Sequence, residues 1–397
     1  MPLFEKQNID LHNTSSKQDE KKLIINRPLI DNYNDENNNE WFTIFKSGVY
    51  PFGKKKWPAA ANFVLLTIMF LILSGELLLS QQTSNEFLEL DPFNYMLGPS
   101  IQILIETGAR YSPCMRPIES MPANESYVCL NTTLPSPTVN SNNNSNEDLQ
   151  PIPATRILHR IYDLTHNNSG DSNNYTNLPL CTLQDICGMS GFVTATKPDQ
   201  SFRFFTPIFV HAGVFHYIIN AMIHWFWAMD VERMMNPIRF SVVYILSGVF
   251  GNIFGANFAT ATNPYMGSST PFFGILGCYI IDILYMWPQI NQPFKHLIKT
   301  VVFIAFSFIL GLLPGVDNFT HIGGLIGGLC IGASTTPAIY YSKTYRYSIW
   351  TARLIGLVLY ITLTIVLLKA FYQGDGPDKY CTFCRYLSCI PIGGFCD

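Results

Sequence analysis

The sequence has few charged residues for its length. Only 13% of its 397 residues are Asp, Glu, Lys or Arg, and 48% are hydrophobic, whereas soluble domains contain about 25% charged residues. The net charge is -3, and no basic run lies on a segment predicted to fold, so nothing indicates a nucleic acid or an acidic ligand as a partner. The scarcity of charge excludes an ordinary soluble domain and predicts a protein solvated by lipid.

A cleavable signal peptide is the second missing feature. The first apolar run begins near residue 59, beyond the usual position of a signal peptide, so we expect it to remain as a membrane anchor. The sequence also lacks an Arg-rich stretch of the mitochondrial presequence kind. We therefore expect a multi-pass protein of the secretory pathway or plasma membrane.

Apolar residues are concentrated in seven runs, each near the length of about 20 residues that a membrane-spanning helix needs. The sequence thus predicts an all-α polytopic membrane protein. The predicted organisation is a disordered cytoplasmic tail at 1–57, a first span at 58–80, a long loop 1 at 81–203, spans 2–6 at 204–340, a seventh span at 349–371 and a Cys-rich tail at 372–397. Spans 2–6 are expected near Phe204–Ala228, Phe240–Phe258, Ser269–Trp287, Leu297–Leu313 and His321–Tyr340.

The orientation follows from basic residues in short loops, which stay on the cytoplasmic side. Such residues precede the first span and lie between spans 2 and 3, 4 and 5, and 6 and 7, which predicts a cytoplasmic N-terminus and a lumenal or extracellular C-terminus. They are Lys54, Lys55, Lys56, Arg233, Arg239, Lys295, Lys299, Lys343, Arg346 and Arg353.

Loop 1 carries features of the lumenal side. It contains five Asn-X-Ser/Thr sites, which are glycosylated only in the secretory pathway; these are Asn124, Asn131, Asn143, Asn167 and Asn174. Eight cysteines share this predicted side: Cys114, Cys129, Cys181 and Cys187 in loop 1, and Cys381, Cys384, Cys389 and Cys396 in the tail. An even set in an oxidising compartment predicts disulfides, with the pairing left open. Zinc binding at Cys381 and Cys384 is disfavoured because no second close pair follows, so we expect neither a metal nor a cofactor.

Polar residues at membrane depth are costly and are therefore candidates for function. Here they gather at the outer ends of three spans: His211, His216 and Asn220 in span 2, Ser269 in span 4 and His321 in span 6. His216 and Asn220 are four residues apart and share one helix face. A serine, a histidine and a His/Asn pair supply the nucleophile, the base and the oxyanion donors of acyl transfer.

An acidic partner for the histidine is not evident at that depth. Asp317 precedes His321 by one turn, but we expect it in a solvated loop, so the pattern favours a Ser/His dyad. Thr270 fits an N-cap and Pro271 a first helical position, which puts Ser269 at a helix N-terminus whose free amides favour an oxyanion.

The last span of this group contains small residues at intervals of four. Gly324 and Gly328 would let another helix approach closely, which brings His321 towards Ser269. The glycine run is not expected to bind a nucleotide, because no strand precedes it.

Taken together, these motifs resemble those of the rhomboid intramembrane serine proteases. Gly267-Ser268-Ser269, His216-Tyr217-Ile218-Ile219-Asn220 and His321 to Gly328 match that family in order, spacing and topology, over about Gly98 to Pro337. The resemblance implies six core helices plus a seventh, as in fungal and other eukaryotic secretory-pathway rhomboids.

The resemblance also implies roles for individual residues. Ser269 is the expected nucleophile and His321 the expected base. His216, Asn220 and Gly267, with the Ser269 amide, would form the oxyanion hole, while Phe273 packs on His321 and His211 supports loop 1. The implied activity is cleavage of single-span membrane proteins in or near the outer part of the bilayer.

One position departs from the family pattern: Thr270 stands where the family has Gly. Thr270 adds volume at a helix crossing, and could either narrow the gap between spans 4 and 6 or fit without harm. The alternative function is a catalytically silent rhomboid-like protein that binds membrane clients for trafficking or quality control. Simpler readings also remain: Ser269 as a helix cap, and His216 with Asn220 as an interhelical hydrogen-bonding pair. A transporter is disfavoured, because no inverted repeat is evident.

Overall fold

The structure is a computed structural model that describes residues 57–90, 94–128, 180–189, 191–259, 261, 263–312 and 316–374. Its first long helix, α1, is Ala60–Ser84. Loop 1 then contributes short elements: α2 (Ile101–Glu106), α3 (Ser112–Met115), an antiparallel ribbon of β1 (Ser126–Val128) and β2 (Leu180–Thr182), and α4 (Leu183–Cys187). The predicted N-terminal and C-terminal tails lie outside the described residues, apart from Trp57 and 372–374.

The remaining elements are helices. They are α5 (Val214–Ile223), which continues through a π-helical turn at His224–Ala228 into α6 (Met229–Met235), α7 (Pro237–Phe258), α8 (Ser269–Tyr285), α9 (Pro293–Leu310), α10 (Asn318–Thr335) and α11 (Lys343–Gln373). Each of the seven predicted spans contains a helix, and the prediction of an all-α polytopic membrane fold is confirmed.

Among the described residues, four helices are long and apolar enough to cross a membrane: α1, α7, α9 and α11. The helices of the other three spans are interrupted, shorter or less apolar. The α5–α6 run is interrupted by the π-turn, α8 has 17 residues, and α10 is rich in glycine. Most of α8 is buried among other helices. In α9 and α11 only 11% of the most apolar stretch is buried, so these two helices face outward.

The second span differs from the prediction at its start. Residues Ser201–Phe204 and Thr206–Ile208 form separate 3₁₀ turns, and the helix begins only at Val214. Pro207 explains part of this, because proline disfavours helical geometry in the residue before it. The carbonyls of Leu97 and Met96 accept hydrogen bonds from the amides of Val214 and Phe215 at 2.9 and 3.1 Å. Loop 1 therefore caps the helix that carries His216.

Glycines allow α10 to pack tightly in the centre of the bundle. A Cβ on Gly324 would collide with the Thr270 carbonyl, and one on Gly328 with the backbone of Gly274, both in α8. The approach of α10 to α8 predicted from this glycine pattern is therefore what the structure contains. The approach brings together the first turns of two helices, where Ser269 and His321 lie.

A disulfide and a buried arginine connect the short elements of loop 1 to one another. Cys114 in α3 pairs with Cys187 in α4, and Cys181 is also disulfide-bonded. The Arg203 guanidinium donates to the carbonyls of Ile105, Ala109 and Cys187 at 2.5–2.7 Å. Disulfide bonding in loop 1 is thus confirmed, while Cys129 and the four tail cysteines lie outside the described residues. Asn124 is exposed, and Asn131, Asn143, Asn167 and Asn174 lie outside the described residues.

The end of the seventh helix contacts loop 1. The Arg116 guanidinium donates to the Gly374 carbonyl at 2.6 Å and lies 4.8 Å from the centre of the Phe371 ring. Phe371 also packs edge-to-face on Phe204. Loop 1 is therefore fixed both to the central bundle and to α11.

Candidate active site

Ser269 is the first residue of α8. The helix begins two residues earlier than the sequence predicted, with Ser268 as the N-cap residue and Pro271 at the third position. Proline is tolerated there because the first four amides of a helix have no partner within it. Gly267, just before the turn, has a φ of +131°, a conformation that favours glycine.

The base identified from sequence meets this serine. His321 lies in the first turn of α10, and its Nε2 is 2.9 Å from Ser269 Oγ. The ring is 5% exposed and stacks on Phe273, with centroids 4.4 Å apart and an interplanar angle of 14°. The stack fixes the plane of the imidazole, so that Nε2 faces the hydroxyl.

The other nitrogen of His321 has no acidic partner. Among the described residues, nothing hydrogen-bonds its Nδ1. For Nε2 to accept the Ser269 proton, the neutral ring must carry its own proton on Nδ1. Among the described residues, the Ser269–His321 pair therefore has no acidic third member.

Asp317 differs from the expectation of a solvated loop residue. It is 5% exposed and its Oδ2 lies 2.6 Å from Arg110 Nη2. Its Oδ1 accepts the Phe319 amide at 2.9 Å. The expectation was wrong because Arg110, which reaches Asp317 from loop 1, is 207 residues away in sequence.

His216 lies on the other side of the serine. A Cβ on Gly267 would be 2.8 Å from its Cε1, 3.1 Å from its Nε2 and 3.5 Å from Ser269 Oγ, so the ring packs directly against Gly267 beside the hydroxyl. Its Nδ1 accepts the Ala212 amide at 3.3 Å. The neutral ring therefore has its N–H at Nε2, on the side of the serine.

Asn220 lies one turn further along the same helix. It is 2% exposed, and its side-chain amide donates to the His216 carbonyl at 3.0 Å. In this arrangement one of the two amide hydrogens of Asn220 supports the backbone of its own helix.

His211 contacts Ser268, the residue before Ser269. Its Nε2 is 3.2 Å from Ser268 Oγ and its Nδ1 is 3.1 Å from the Phe209 carbonyl. A carbonyl can only accept, so Nδ1 is the donor and Nε2 accepts the Ser268 hydroxyl. The ring also packs edge-to-face against His216, at 5.4 Å. His211 thus links the segment before α5 to the start of α8, which the sequence did not reveal.

The side chain of Thr270 faces α7. A Cβ on Gly251 would collide with the Thr270 methyl group, whereas Gly324 of α10 meets only the Thr270 carbonyl. Gly251 therefore provides the space for the added volume, and the Ser269–His321 hydrogen bond is retained. Within the described residues, no three His, Cys, Asp or Glu side chains form a potential metal site.

Comparison with known proteins agrees with this geometry. The family model described as Rhomboid domain matches residues 198–338, the segment that contains His211, His216, Ser269 and His321. The chain therefore carries a rhomboid domain, and the resemblance seen in its motifs is confirmed.

Individual relatives point in two directions. The chain is 28% identical to rhomboid-type serine protease 2 of Emericella nidulans over 400 aligned residues, covering 85% of this chain and 71% of that protein. It is 33% identical to inactive rhomboid protein 1 of Danio rerio and 32% identical to that of Homo sapiens, each over 219 residues. Those alignments cover 54% of this chain and 25% of the inactive relatives.

Proposed function

We propose that this protein is an intramembrane serine endopeptidase that cleaves single-span membrane proteins. The observation that carries the proposal is the 2.9 Å contact between Ser269 Oγ and His321 Nε2, at the first turns of two helices in a polytopic membrane fold. Buried polar groups in such a fold are costly and mark functional sites. The similarity to a fungal rhomboid-type serine protease supports the same activity.

The mechanism follows from which ring nitrogen carries the proton in His321 and in His216. His321 Nε2 takes the Ser269 proton as Oγ attacks the peptide carbonyl, and the oxygen becomes an oxyanion. The Nε2–H of His216 and the free amides at the start of α8 stabilise that charge. The protonated His321 then gives its proton to the departing amine, leaving an acyl-serine that water hydrolyses with His321 again as the base.

Asn220 is a further candidate hydrogen-bond donor in this mechanism. Its side-chain amide has two hydrogens, and only one of them is used by the bond to the His216 carbonyl. We propose that Asn220 supports the position of His216 in the resting enzyme. Once substrate is bound, Asn220 is the second side-chain donor to the oxyanion.

A fluorophosphonate probe tests the chemistry separately from the substrate. We expect the purified wild-type protein to be labelled at Ser269, because the probe reacts only with an activated serine, and we expect His321→Ala to suppress labelling. Mass spectrometry of the labelled peptide identifies the residue. A folded wild-type protein that is never labelled would rule out the proposed activity.

The second candidate is a non-proteolytic rhomboid-like protein that binds membrane clients. It is favoured by the similarity to inactive rhomboid protein 1 and by Thr270, which stands in the family's Gly position. The space that Gly251 provides for Thr270 favours the protease. An unlabelled but folded protein that co-purifies with intact single-span clients would support the second candidate.

The role of His216 gives a separate prediction. We expect His216→Ala to lower kcat by about 10²–10³, the range found when one oxyanion donor is removed, while KM changes little. Steady-state cleavage of a peptide substrate by the folded variant checks this. An unchanged kcat would leave His216 as a packing residue only.

The orientation and compartment are also proposals. We propose that the N-terminus is cytoplasmic and that loop 1 and the C-terminus are lumenal or extracellular, in the secretory pathway or plasma membrane. The exposure of Asn124 and the loop 1 disulfide support this. We expect an endoglycosidase to increase the gel mobility of the cell-expressed protein, with a smaller change for Asn124→Gln. A chain that carries no glycan on any loop 1 sequon would contradict this orientation.

A further inference from the structure

Arg110 is a buried cation of loop 1 that contacts both segments leading into the dyad. It lies between α2 and α3, and its side chain is 2% exposed. Nothing in the sequence alone assigned a role to Arg110. Its partners come from three other parts of the chain.

The first partner is the segment before the nucleophile. Arg110 and Tyr265 exchange both backbone hydrogen bonds, at 2.8 and 3.0 Å, and the Arg110 guanidinium lies 4.8 Å from the centre of the Tyr265 ring. Tyr265 is four residues before Ser269, and Gly267 lies between them. Arg110 therefore fixes the chain that enters the serine turn.

The second partner is the segment before the base. Asp317 pairs with Arg110 at 2.6 Å and is also the N-cap residue of α10, accepting the Phe319 amide. The Asp317 carbonyl accepts from the His321 amide at 3.4 Å and from the Thr320 hydroxyl at 2.6 Å. A movement of Asp317 would thus be transmitted to His321 through a single helical turn.

The third partner is α7, which packs against the Arg110 guanidinium. Arg110 Nη1 donates to the Asn252 carbonyl at 3.1 Å, and a Cβ on Gly255 would collide with the same nitrogen. The guanidinium is therefore enclosed, with its charge desolvated. A buried ion pair is weak evidence for stability, because hydrophobic residues of equal volume are often as good or better. A geometric role explains the pair more directly.

We propose that Arg110 and Asp317 are positioning residues that set the distance between Ser269 and His321, which makes loop 1 part of the catalytic machinery. The inference deepens the proposed endopeptidase function and rests on it. Loss of the pair should lower kcat and the rate of labelling at Ser269, with little change in KM, because both side chains are buried, at 2% and 3% exposed, and cannot contact a substrate.

The test compares a variant that neutralises Asp317 alone with one that neutralises both members of the pair. In Asp317→Asn the cap is kept, since asparagine also caps helices, but Arg110 is left unpaired. In the double variant Arg110→Gln and Asp317→Asn neither position carries a buried charge, so thermal stability should return towards the wild-type value. We expect its labelling rate to stay roughly 10- to 100-fold low, as for a misplaced catalytic group. If the pair were purely structural, the double variant would recover the thermal stability and the labelling rate of the wild type together.

The matched control is Arg116→Gln, the same change in the same loop. Arg116 binds the end of α11, so we expect the labelling rate of Arg116→Gln to match the wild type. A double variant as stable and as reactive as the wild type would overturn the proposal.

A readout without catalysis separates this inference from the proposed function. In protein with ¹⁵N-labelled histidine, the His321 Nε2 resonance is identified by its change in Ser269→Ala, which removes the hydrogen bond. We expect the Arg110/Asp317 double variant to show the Ser269→Ala shift. A wild-type shift there would overturn the positioning role, whereas a wild-type protein with the hydrogen bond but no labelling would contradict the endopeptidase alone.

Discussion

Ser269→Ala and His321→Ala are each expected to abolish cleavage of a single-span substrate, with a loss of roughly 10⁴–10⁶ in kcat. The serine is the only nucleophile that this mechanism uses, and its hydroxyl is 2.9 Å from the single base. Without His321 the serine keeps its proton, and without Ser269 the base has nothing to activate. The double variant should therefore be no worse than either single variant, because residues that act as one unit are strongly non-additive.

The measurement is product formation by purified variants of matched folding. Ser334→Ala is the control, since Ser334 lies on the same helix as His321 but, among the described residues, hydrogen-bonds only to the carbonyls of Cys330 and Arg353. It should retain wild-type cleavage. Residual turnover above a thousandth of the wild-type rate in Ser269→Ala would indicate that another group attacks the peptide bond, and would remove the dyad from the account.

Gly328→Val is expected to prevent α10 from docking on α8. Its added Cβ would collide with the backbone of Gly274, and a backbone cannot rotate away as a side chain can. Overpacking a core costs about 1–3 kcal/mol and occasionally more, and we place this variant at the upper end of the range. Separation of the helices also breaks the Ser269–His321 contact, so stability and activity should fall together.

The chain offers a matched control for the glycine effect. Gly75 lies within α1, and a Cβ there would have nothing within 4 Å. Gly75→Ala should therefore leave thermal stability unchanged or slightly raise it, because alanine favours helix over glycine by up to about 1 kcal/mol. Thermal unfolding in detergent measures both variants. A Gly328→Val protein as stable as Gly75→Ala would show that α10 and α8 do not pack as described.

The parts of the site that could be predicted from sequence are those encoded locally. Ser269 begins α8 and His321 lies in the first turn of α10, so helix signals and topology were enough to place them at the same depth. The spacing of Gly324 and Gly328 also predicted the close approach, because a periodicity of four marks one helix face. These features depend on residues within one or two turns of each other.

The parts that could not be predicted depend on distant partners. The pairing of Arg110 with Asp317 joins residues 207 positions apart, and a single sequence contains no signal for such a contact. The late start of α5 depends on caps from Leu97 and Met96 across the loop. Likewise, the effect of Thr270 could not be decided without Gly251, which lies on another helix.

The competence of the wild-type dyad despite Thr270 is the central claim, and one comparison tests it most directly. Purified wild-type protein, Thr270→Gly and Ser269→Ala are reconstituted in liposomes with a single-span substrate, and the cleavage rate is measured. Because Gly251 accommodates the Thr270 methyl, we expect wild type and Thr270→Gly to cleave at similar rates and Ser269→Ala to be inactive. A folded wild type that yields no product, beside a Thr270→Gly variant that does, would contradict the account and mark the protein as a silenced rhomboid.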